Sequence, residues 1–235
     1  MYKNIIFNPY GLLIDLREND ITDAALYEIA MFFSLNGASY TSEELKCSYI
    51  ETLKRQITKN VRAEYSDMIT KRIIQLLYEN KGIHPSDVIV DQTEKFLIVS
   101  SVSHIRLRPS VKGVLGTIAS RNLRLFAIFS GQKEFALFEM KFLSILNYFD
   151  GVYGSSEIGL DRMDKTLFLH LLTEEKLSPG QCLFVSDRSS DIIFAKEASI
   201  DCAYIKNPAR PELAQVKPTY DIADGDLTEL LKFAV

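Results

Sequence analysis

The chain has 235 residues, of which 47% are hydrophobic and 25% charged, and its formal net charge at pH 7 is −4. This composition is typical of a globular protein with a sizeable core, and it lacks the basic surplus of nucleic-acid-binding proteins. We therefore expect no nucleic-acid partner. No run of about 18 apolar residues is present, so we expect no membrane partner either.

The cysteines and the N-terminal residues give an expectation for the cellular compartment of the protein. Cys47, Cys182 and Cys202 are widely spaced and form no CxxC pair. This pattern is typical of free thiols in a reducing environment. The N-terminal residues also lack the long apolar segment of a signal peptide. The sequence therefore predicts a cytoplasmic protein.

The first part of the chain predicts one strand followed by helices. "KNIIF" (3–7) is an apolar run that ends at Asn8-Pro9, as expected for a buried strand. Thr41 and Glu44 have the spacing of a capping box. We find no convincing strand in residues 16–104, so this part of the chain is predicted to be a helical subdomain. Its predicted helices are 21–37, 41–57, 66–82 and 84–102.

Strands and helices alternate in the remainder of the chain. The predicted helices are 108–122, 133–149, 164–176 and 191–199, and the predicted strands are 123–130, 151–155, 181–187 and 202–205. Such alternation predicts right-handed crossovers and a parallel sheet, to which the first strand also belongs. We therefore expect an α/β core made of residues 1–15 plus 105–235, with the helical block of residues 16–104 inserted after the first strand.

Polar residues stand at the carboxyl ends of three of the predicted strands. In such sheets, ligands bind beyond the carboxyl ends of the strands, which here carry Asn8, Ser130 and Asp187. Asp191 lies four residues after Asp187, at the start of a predicted helix. Two carboxylates at a strand end suit a hard cation such as Mg²⁺. The alternative is that Asp191 caps the helix and Asp187 closes a turn.

This arrangement resembles the haloacid dehalogenase (HAD) superfamily, which consists largely of phosphatases. The resemblance covers nearly the whole chain and is most specific in "LFVSDRSSDIIFAKEASIDCAYI" (183–205). It implies a Rossmann-like parallel sheet core with an inserted α-helical cap. It also implies a magnesium site at Asp187, Asp191 and Asn8, and a phosphorylated small molecule or another anion as the ligand.

The first motif departs from the superfamily pattern. Where the family has Asp-x-Asp-x-Thr, "FNPYGLLID" has Asn8, Tyr10 and Leu12. The first Asp of the family is the nucleophile and the second is the general acid and base. An amide is a poor nucleophile, a phenol has a pKa of about 10, and leucine forms no side-chain hydrogen bond. Pro9 opposes deamidation of Asn8, because it lacks the backbone N–H whose nitrogen attacks the amide. We expect impaired catalysis, and Mg²⁺ binding that is weak or absent.

The resemblance places phosphate-binding groups at the two remaining motifs. Ser130 and Gly131 occupy the second motif, where a hydroxyl and backbone N–H groups bind phosphate oxygens. In the third motif, either Arg162 or Lys165 takes the place of the family's lysine. The alternatives are an ordinary turn at Ser130 and solvated charges at the start of a helix.

The resulting functional prediction is a HAD-like hydrolase with impaired catalysis. It binds a phosphorylated small molecule, an anion or a protein partner, as a monomer or a homodimer. Two alternatives stay open. One is an active phosphatase in which Asp187 and Asp191 hold a metal that activates water, and the other is a purely structural or interaction role.

Overall fold

The computed structural model describes residues 2–18, 22–59, 66–160, 162–207 and 217–234. The chain forms two compact units, of which one comprises Met1–Asp15 and Arg106–Val235 and the other Leu16–Ile105. In chain order the elements are β1 (Asn4–Phe7), β2 (Ile14–Glu18), α1 (Asp23–Leu35), α2 (Ser42–Lys59), α3 (Ser66–Glu79), α4 (Asp87–Ser101), β3 (Val102–Leu107), α5 (Val111–Ser120), β4 (Arg124–Phe129), α6 (Lys133–Phe142), β5 (Gly151–Gly154), α7 (Lys165–Glu174), β6 (Cys182–Ser186), α8 (Ser189–Glu197), β7 (Asp201–Ile205), β8 (Tyr220–Ile222) and α9 (Leu231–Ala234).

The first unit is built on a six-stranded parallel sheet. Its strand order is β5-β4-β1-β6-β7-β8, and each neighbouring pair is parallel. The predicted α/β class with a parallel sheet is therefore confirmed. Because β1 lies between β4 and β6, its carboxyl end is flanked by the ends of two strands that come more than a hundred residues later in the sequence.

The inner strands of the sheet have continuous apolar sequences because they are buried on both faces. All residues of β1 and β6 are buried, as are all but the first residue of β4 and of β7. Helices α7 and α8 contribute Phe168 and Ile192 to the core cluster that covers β6. The rings of Phe168 and Phe184 pack edge to face, with centroids 4.9 Å apart. This packing fixes the position of the strand ends that carry the polar residues.

The second unit is a four-helix arrangement with its own core. Helix α1 packs on α2 and α4, and α3 packs on the same two helices. Phe33 and Tyr78 are fully buried there, and the Tyr78 hydroxyl shares a hydrogen bond of 3.1 Å with Thr93. The predicted capping box of α2 is confirmed, because Thr41 and Glu44 exchange backbone-to-side-chain hydrogen bonds. Among the described residues, no helix is both long and apolar enough to span a bilayer.

Two strands contradict the prediction that residues 16–104 lack strands. β2 and β3 form a separate two-stranded sheet, and each contains a point where the chain passes from one unit to the other. Apolar Ile14 and Leu16 alternate with polar residues in β2, as Ile105 and Leu107 do in β3. These runs are short and adjoin helical patterns, which is why the alternation is easily missed.

Helix α6 is shorter than predicted. The apolar pattern predicts a helix to residue 149, but α6 ends at Phe142. Ser144 adopts the left-handed conformation (φ 59°), and the Ile145 N–H donates to the Met140 carbonyl oxygen at 2.9 Å. This closure resembles the usual left-handed helix end, although a serine stands where glycine is preferred. The apolar residues that follow belong to a short 3₁₀ turn over Leu146–Tyr148.

Candidate functional site

Asn8 lies directly after β1 and is 3% exposed. Its backbone N–H donates to the Val185 carbonyl oxygen at 3.1 Å, which continues the pairing with β6. Its side-chain Nδ2 donates to Asp191 Oδ2 at 2.7 Å, and its Oδ1 accepts from the Tyr10 backbone N–H at 3.1 Å. Both ends of the amide are therefore engaged by neighbouring protein groups.

Asp191 lies in the first turn of α8 and is 6% exposed. Besides the Asn8 amide, its carboxylate accepts from the Ser186 hydroxyl at 2.9 Å and the Ser190 hydroxyl at 3.3 Å. Burial raises the pKa of Asp191, opposed by hydrogen bonds from Asn8 and Ser186 and by the charge of Arg188. The interpretation of Asp191 as a helix cap is wrong, because Arg188 holds the capping position and makes no side-chain capping bond.

Asp187 follows β6 and is 2% exposed. Its Oδ2 accepts from the Asn207 side-chain amide at 2.7 Å. Asn207 lies two residues beyond the end of β7, the strand next to β6. The two predicted acids are therefore both buried at one edge of the sheet, and each accepts a hydrogen bond from an amide at the end of an adjacent strand.

Tyr10 is directed toward α6. Its hydroxyl donates to Glu139 Oε2 at 2.6 Å, and its ring packs edge to face on Phe129 with centroids 5.5 Å apart. Glu139 is only 9% exposed. Asn8 and Tyr10 thus bind different partners, one on α8 and one on α6, and the Tyr10 hydroxyl already donates its hydrogen bond to the Glu139 carboxylate.

The second-motif residues lie at the end of β4. Ser130 is exposed, and its hydroxyl oxygen accepts from the Met163 N–H at 2.9 Å. The Gly131 N–H donates to the Ser155 hydroxyl at 3.0 Å. This bond already engages the backbone donor of Gly131, so the Ser130 hydroxyl is the more accessible group for an anion.

The third-motif segment lies beside Ser130, as the bond to Met163 requires. Asp164 caps α7, because its carboxylate accepts from the Thr166 N–H at 2.6 Å. Arg162 and Lys165 flank this cap, and both side chains are exposed. The geometry brings this basic segment to the end of β4 but leaves both cations as candidates for the lysine position.

Sequence reasoning missed Asn207, Ser186 and Glu139. Asn207 follows an apolar strand in "CAYIKN", the same signal that pointed to Asn8 and Asp187, and could have been found by it. Ser186 precedes Asp187 directly. Glu139 is an acid next to buried Met140 on α6, and such a buried charge requires a partner.

A cavity of about 280 Å³ opens beside Asp187. Its polar lining includes the buried Asp187, the amide of Asn207 and the cations Arg108 and Lys206. The other lining residues are Gly11, Leu12, Pro109, Ser110, Ile205, Asp224, Gly225, Asp226 and Leu227. All of them belong to the α/β unit, so this space can hold a small polar ligand at the strand ends.

The side chains do not fit the magnesium site that the resemblance implies. Mg²⁺ takes oxygen ligands in near-octahedral geometry. The part of the chain that the structure describes contains no group of three or more His, Cys, Asp or Glu side chains able to hold a metal ion. Asn8 also presents its NH₂ group to Asp191, while its oxygen accepts from Tyr10. A hydrogen-bond donor cannot coordinate a cation, so position 8 is unsuited to a shared ligand set with Asp191.

Comparison with known proteins gives one family. The family model described as haloacid dehalogenase-like hydrolase matches residues 13–199, well over half of the chain. A relative named as a pyrophosphatase, PpaX of Caldanaerobacter subterraneus subsp. tengcongensis, is 23% identical over 210 residues, which cover 86% of this chain and 93% of PpaX.

The solved structures show the same fold. The 2-haloacid dehalogenase of Pseudomonas syringae pv. tomato DC3000 superposes with a TM-score of 0.71 at 18% identity, over 99% of each chain. The HAD hydrolase YfnB of Bacillus subtilis, solved bound to magnesium, gives a TM-score of 0.60 at 16% identity, over 99% of this chain and 98% of YfnB. At these identities the likeness establishes the fold alone.

Proposed function

The chain belongs to the haloacid dehalogenase-like hydrolases, and within that family we propose that it has lost aspartyl-phosphate chemistry and acts by binding. One observation carries the proposal: the side chain at the nucleophile position is an amide, and both of its ends are held by Asp191 and Tyr10. A nucleophile needs an available electron pair on a charged or activated atom. The amide nitrogen of Asn8 is neutral and directs its hydrogens at a carboxylate.

The acid and base position supports the same proposal. The Tyr10 hydroxyl donates a hydrogen bond to the Glu139 carboxylate at 2.6 Å. A general acid must reach the leaving group within hydrogen-bond distance. Tyr10 would first have to break its bond to Glu139 and leave its contact with Phe129. Neither residue of the first motif is therefore available for the family reaction in this arrangement.

The ligand we propose is a small phosphorylated molecule or another anion. The exposed Ser130 hydroxyl and the segment with the exposed cations Arg162 and Lys165 support this choice. The cavity beside Asp187 is polar, but its cations Arg108 and Lys206 are accompanied by the acids Asp187, Asp224 and Asp226. Ligand pockets commonly have volumes of roughly 300–1,000 Å³. The cavity of about 280 Å³ lies just below this range and suits a small ligand.

The first experiment is a phosphatase assay of the wild type with Mg²⁺, beside the Asp187→Ala variant as a control for contaminating activity. We expect no turnover of aryl phosphates or phosphorylated metabolites above that of the variant. Mg²⁺-dependent turnover that disappears in Asp187→Ala would overturn the proposal. It would favour a hydrolase in which Asp187 and Asp191 support attack by water.

The variant Asn8→Asp tests whether the amide at position 8 is the sole reason for the expected inactivity, or whether Tyr10 and Leu12 also contribute. We expect it to stay inactive, because Tyr10 and Leu12 still replace the acid and base and the threonine. The readout is aryl phosphate hydrolysis, with the triple variant Asn8→Asp, Tyr10→Asp, Leu12→Thr assayed in parallel. Strong turnover by Asn8→Asp alone would show that position 8 was the sole defect, contrary to this view.

Anion binding is tested by thermal unfolding in inorganic phosphate against chloride of equal ionic strength. A ligand that binds only the native state raises the unfolding temperature. We expect phosphate to stabilise the wild type, and Arg162→Gln or Lys165→Gln to remove the effect. The variant that removes it identifies the third-motif cation. Equal unfolding temperatures in the two salts would argue against an anion site and favour a protein partner.

A further inference from the structure

The two buried carboxylates of the α/β unit are held by two side-chain amides. β1, β6 and β7 are neighbours in the sheet, and their carboxyl ends carry Asn8, Asp187 and Asn207. Asn8 donates to Asp191 and Asn207 donates to Asp187, each at 2.7 Å. Asn8 at the end of β1 and Asn207 beyond β7 thus lie on either side of β6, and each donates to one of the two buried acids.

The direction of the Asn8 amide follows from its surroundings. The Tyr10 backbone N–H is a donor and lies 3.1 Å from the Asn8 Oδ1. If the amide were flipped, its NH₂ would face this N–H and its oxygen would face the Asp191 carboxylate. Both contacts would then be repulsive, so only the observed orientation satisfies both neighbours.

The hydrogen-bond donors around Asp191 stabilise its negative charge, as a bound cation would. Buried carboxylates must be paired, hydrogen-bonded or metal-bound. Asp191 accepts from Asn8, Ser186 and Ser190. Its charge is thus balanced by protein donors on several sides, and Asn8 occupies the side that faces β1.

We propose that Asn8 and Asn207 are internal substitutes for a divalent cation, so that the native fold is indifferent to Mg²⁺, and that Asn8→Asp alone converts it to one that Mg²⁺ stabilises. With Asp at position 8, two buried carboxyl groups would face each other, and at a pH where both are ionised a cation would relieve their repulsion. The inference extends the proposed function. Its test measures unfolding temperature, whereas the proposed function is tested by turnover. A failure of the inference can therefore be told apart from a failure of the proposed function.

The experiment compares unfolding temperatures in MgCl₂ and in EDTA, with ionic strength matched by NaCl. We expect the wild type to unfold at the same temperature in both. Asn8→Asp should unfold several degrees lower in EDTA and recover in MgCl₂. Asn8→Ala, which removes the donor without adding a charge, should be destabilised in both solutions and should not recover.

Asn4→Asp is the matched control, because Asn4 is also buried on β1 but lies at its opposite end. It should be destabilised without rescue by Mg²⁺. If Asn8→Asp does not fold, Asn207→Asp applies the same test to the bond with Asp187. Stabilisation of the wild type by MgCl₂ would overturn the inference, as would an Asn8→Asp variant that responds to Mg²⁺ no more than Asn4→Asp does.

Discussion

At position 8, replacing one carboxylate oxygen by NH₂ changes both chemistry and packing. Aspartate and asparagine have nearly the same shape, but only the amide can donate a hydrogen bond. Asn8 uses this donor toward Asp191, which is buried and needs one. Asn8 therefore stabilises the buried Asp191 carboxylate, whereas an aspartate at position 8 would place a second negative charge beside it.

Tyr10, like Asn8, donates a hydrogen bond to a buried acid. Tyr10→Phe removes the hydroxyl that donates to Glu139, a residue that is 9% exposed. Loss of one partner of a buried hydrogen bond typically costs about 1–3 kcal/mol. We expect a decrease of that size in the free energy of unfolding, measured by urea denaturation.

The control for Tyr10→Phe is Tyr27→Phe, because Tyr27 is 61% exposed. It should change the free energy of unfolding by less than about 0.5 kcal/mol. If both variants lost the same small amount, the bond between Tyr10 and Glu139 would have no energetic role.

At the scale of the elements, helix ends position the chain. α2 starts with a reciprocal capping box, in which the Thr41 hydroxyl accepts from the Glu44 N–H at 3.2 Å and Glu44 accepts from the Thr41 N–H at 3.0 Å. α6 ends early because Ser144 turns the chain with a left-handed conformation. Local side-chain and backbone bonds thus decide where these helices begin and end.

Thr41→Ala removes half of the α2 capping box. Replacement of a capping threonine by alanine typically costs about 0.5–2 kcal/mol, and we expect a loss in this range. Ser42→Ala is the control, because Ser42 is the first residue of the helix rather than its cap. Urea denaturation followed by far-UV circular dichroism measures both. A Thr41→Ala variant as stable as Ser42→Ala would be inconsistent with a stabilising cap.

At the scale of the whole molecule, the chain makes two units with separate cores. It leaves the α/β unit after Asp15 and returns at Arg106, and the core clusters of the two units share no residue. Two of the three cysteines, Cys182 and Cys202, lie on neighbouring central strands of the sheet and are buried, whereas Cys47 lies on α2 and is exposed.

The cysteines allow the integrity of the sheet to be measured. Burial raises the pKa of the Cys182 thiol to about 11 and that of Cys202 to about 12. Because the thiolate is the reactive form, both should stay unreactive as the solution is made mildly alkaline. We expect iodoacetamide to label only Cys47 in the native protein and all three cysteines in denaturant, as measured by mass spectrometry.

Cys47→Ser is the control for the labelling experiment, and it should leave the native protein unlabelled. Labelling of Cys182 or Cys202 at the rate of Cys47 would mean that β6 and β7 are open to solvent in the native state. That outcome would contradict the buried sheet, because both thiols have no exposed area in it.

The sequence by itself determined the parallel α/β class and the polar residues that end its central strands, because periodicity and residue identity are local properties. Only the tertiary structure decided the partners of the polar groups. Asn8 binds Asp191 across 183 positions of sequence, Tyr10 binds Glu139 across 129, and Asn207 binds Asp187 across 20. Such bonds depend on the order of the strands and on the direction of each side chain, and neither is contained in a local pattern of residues.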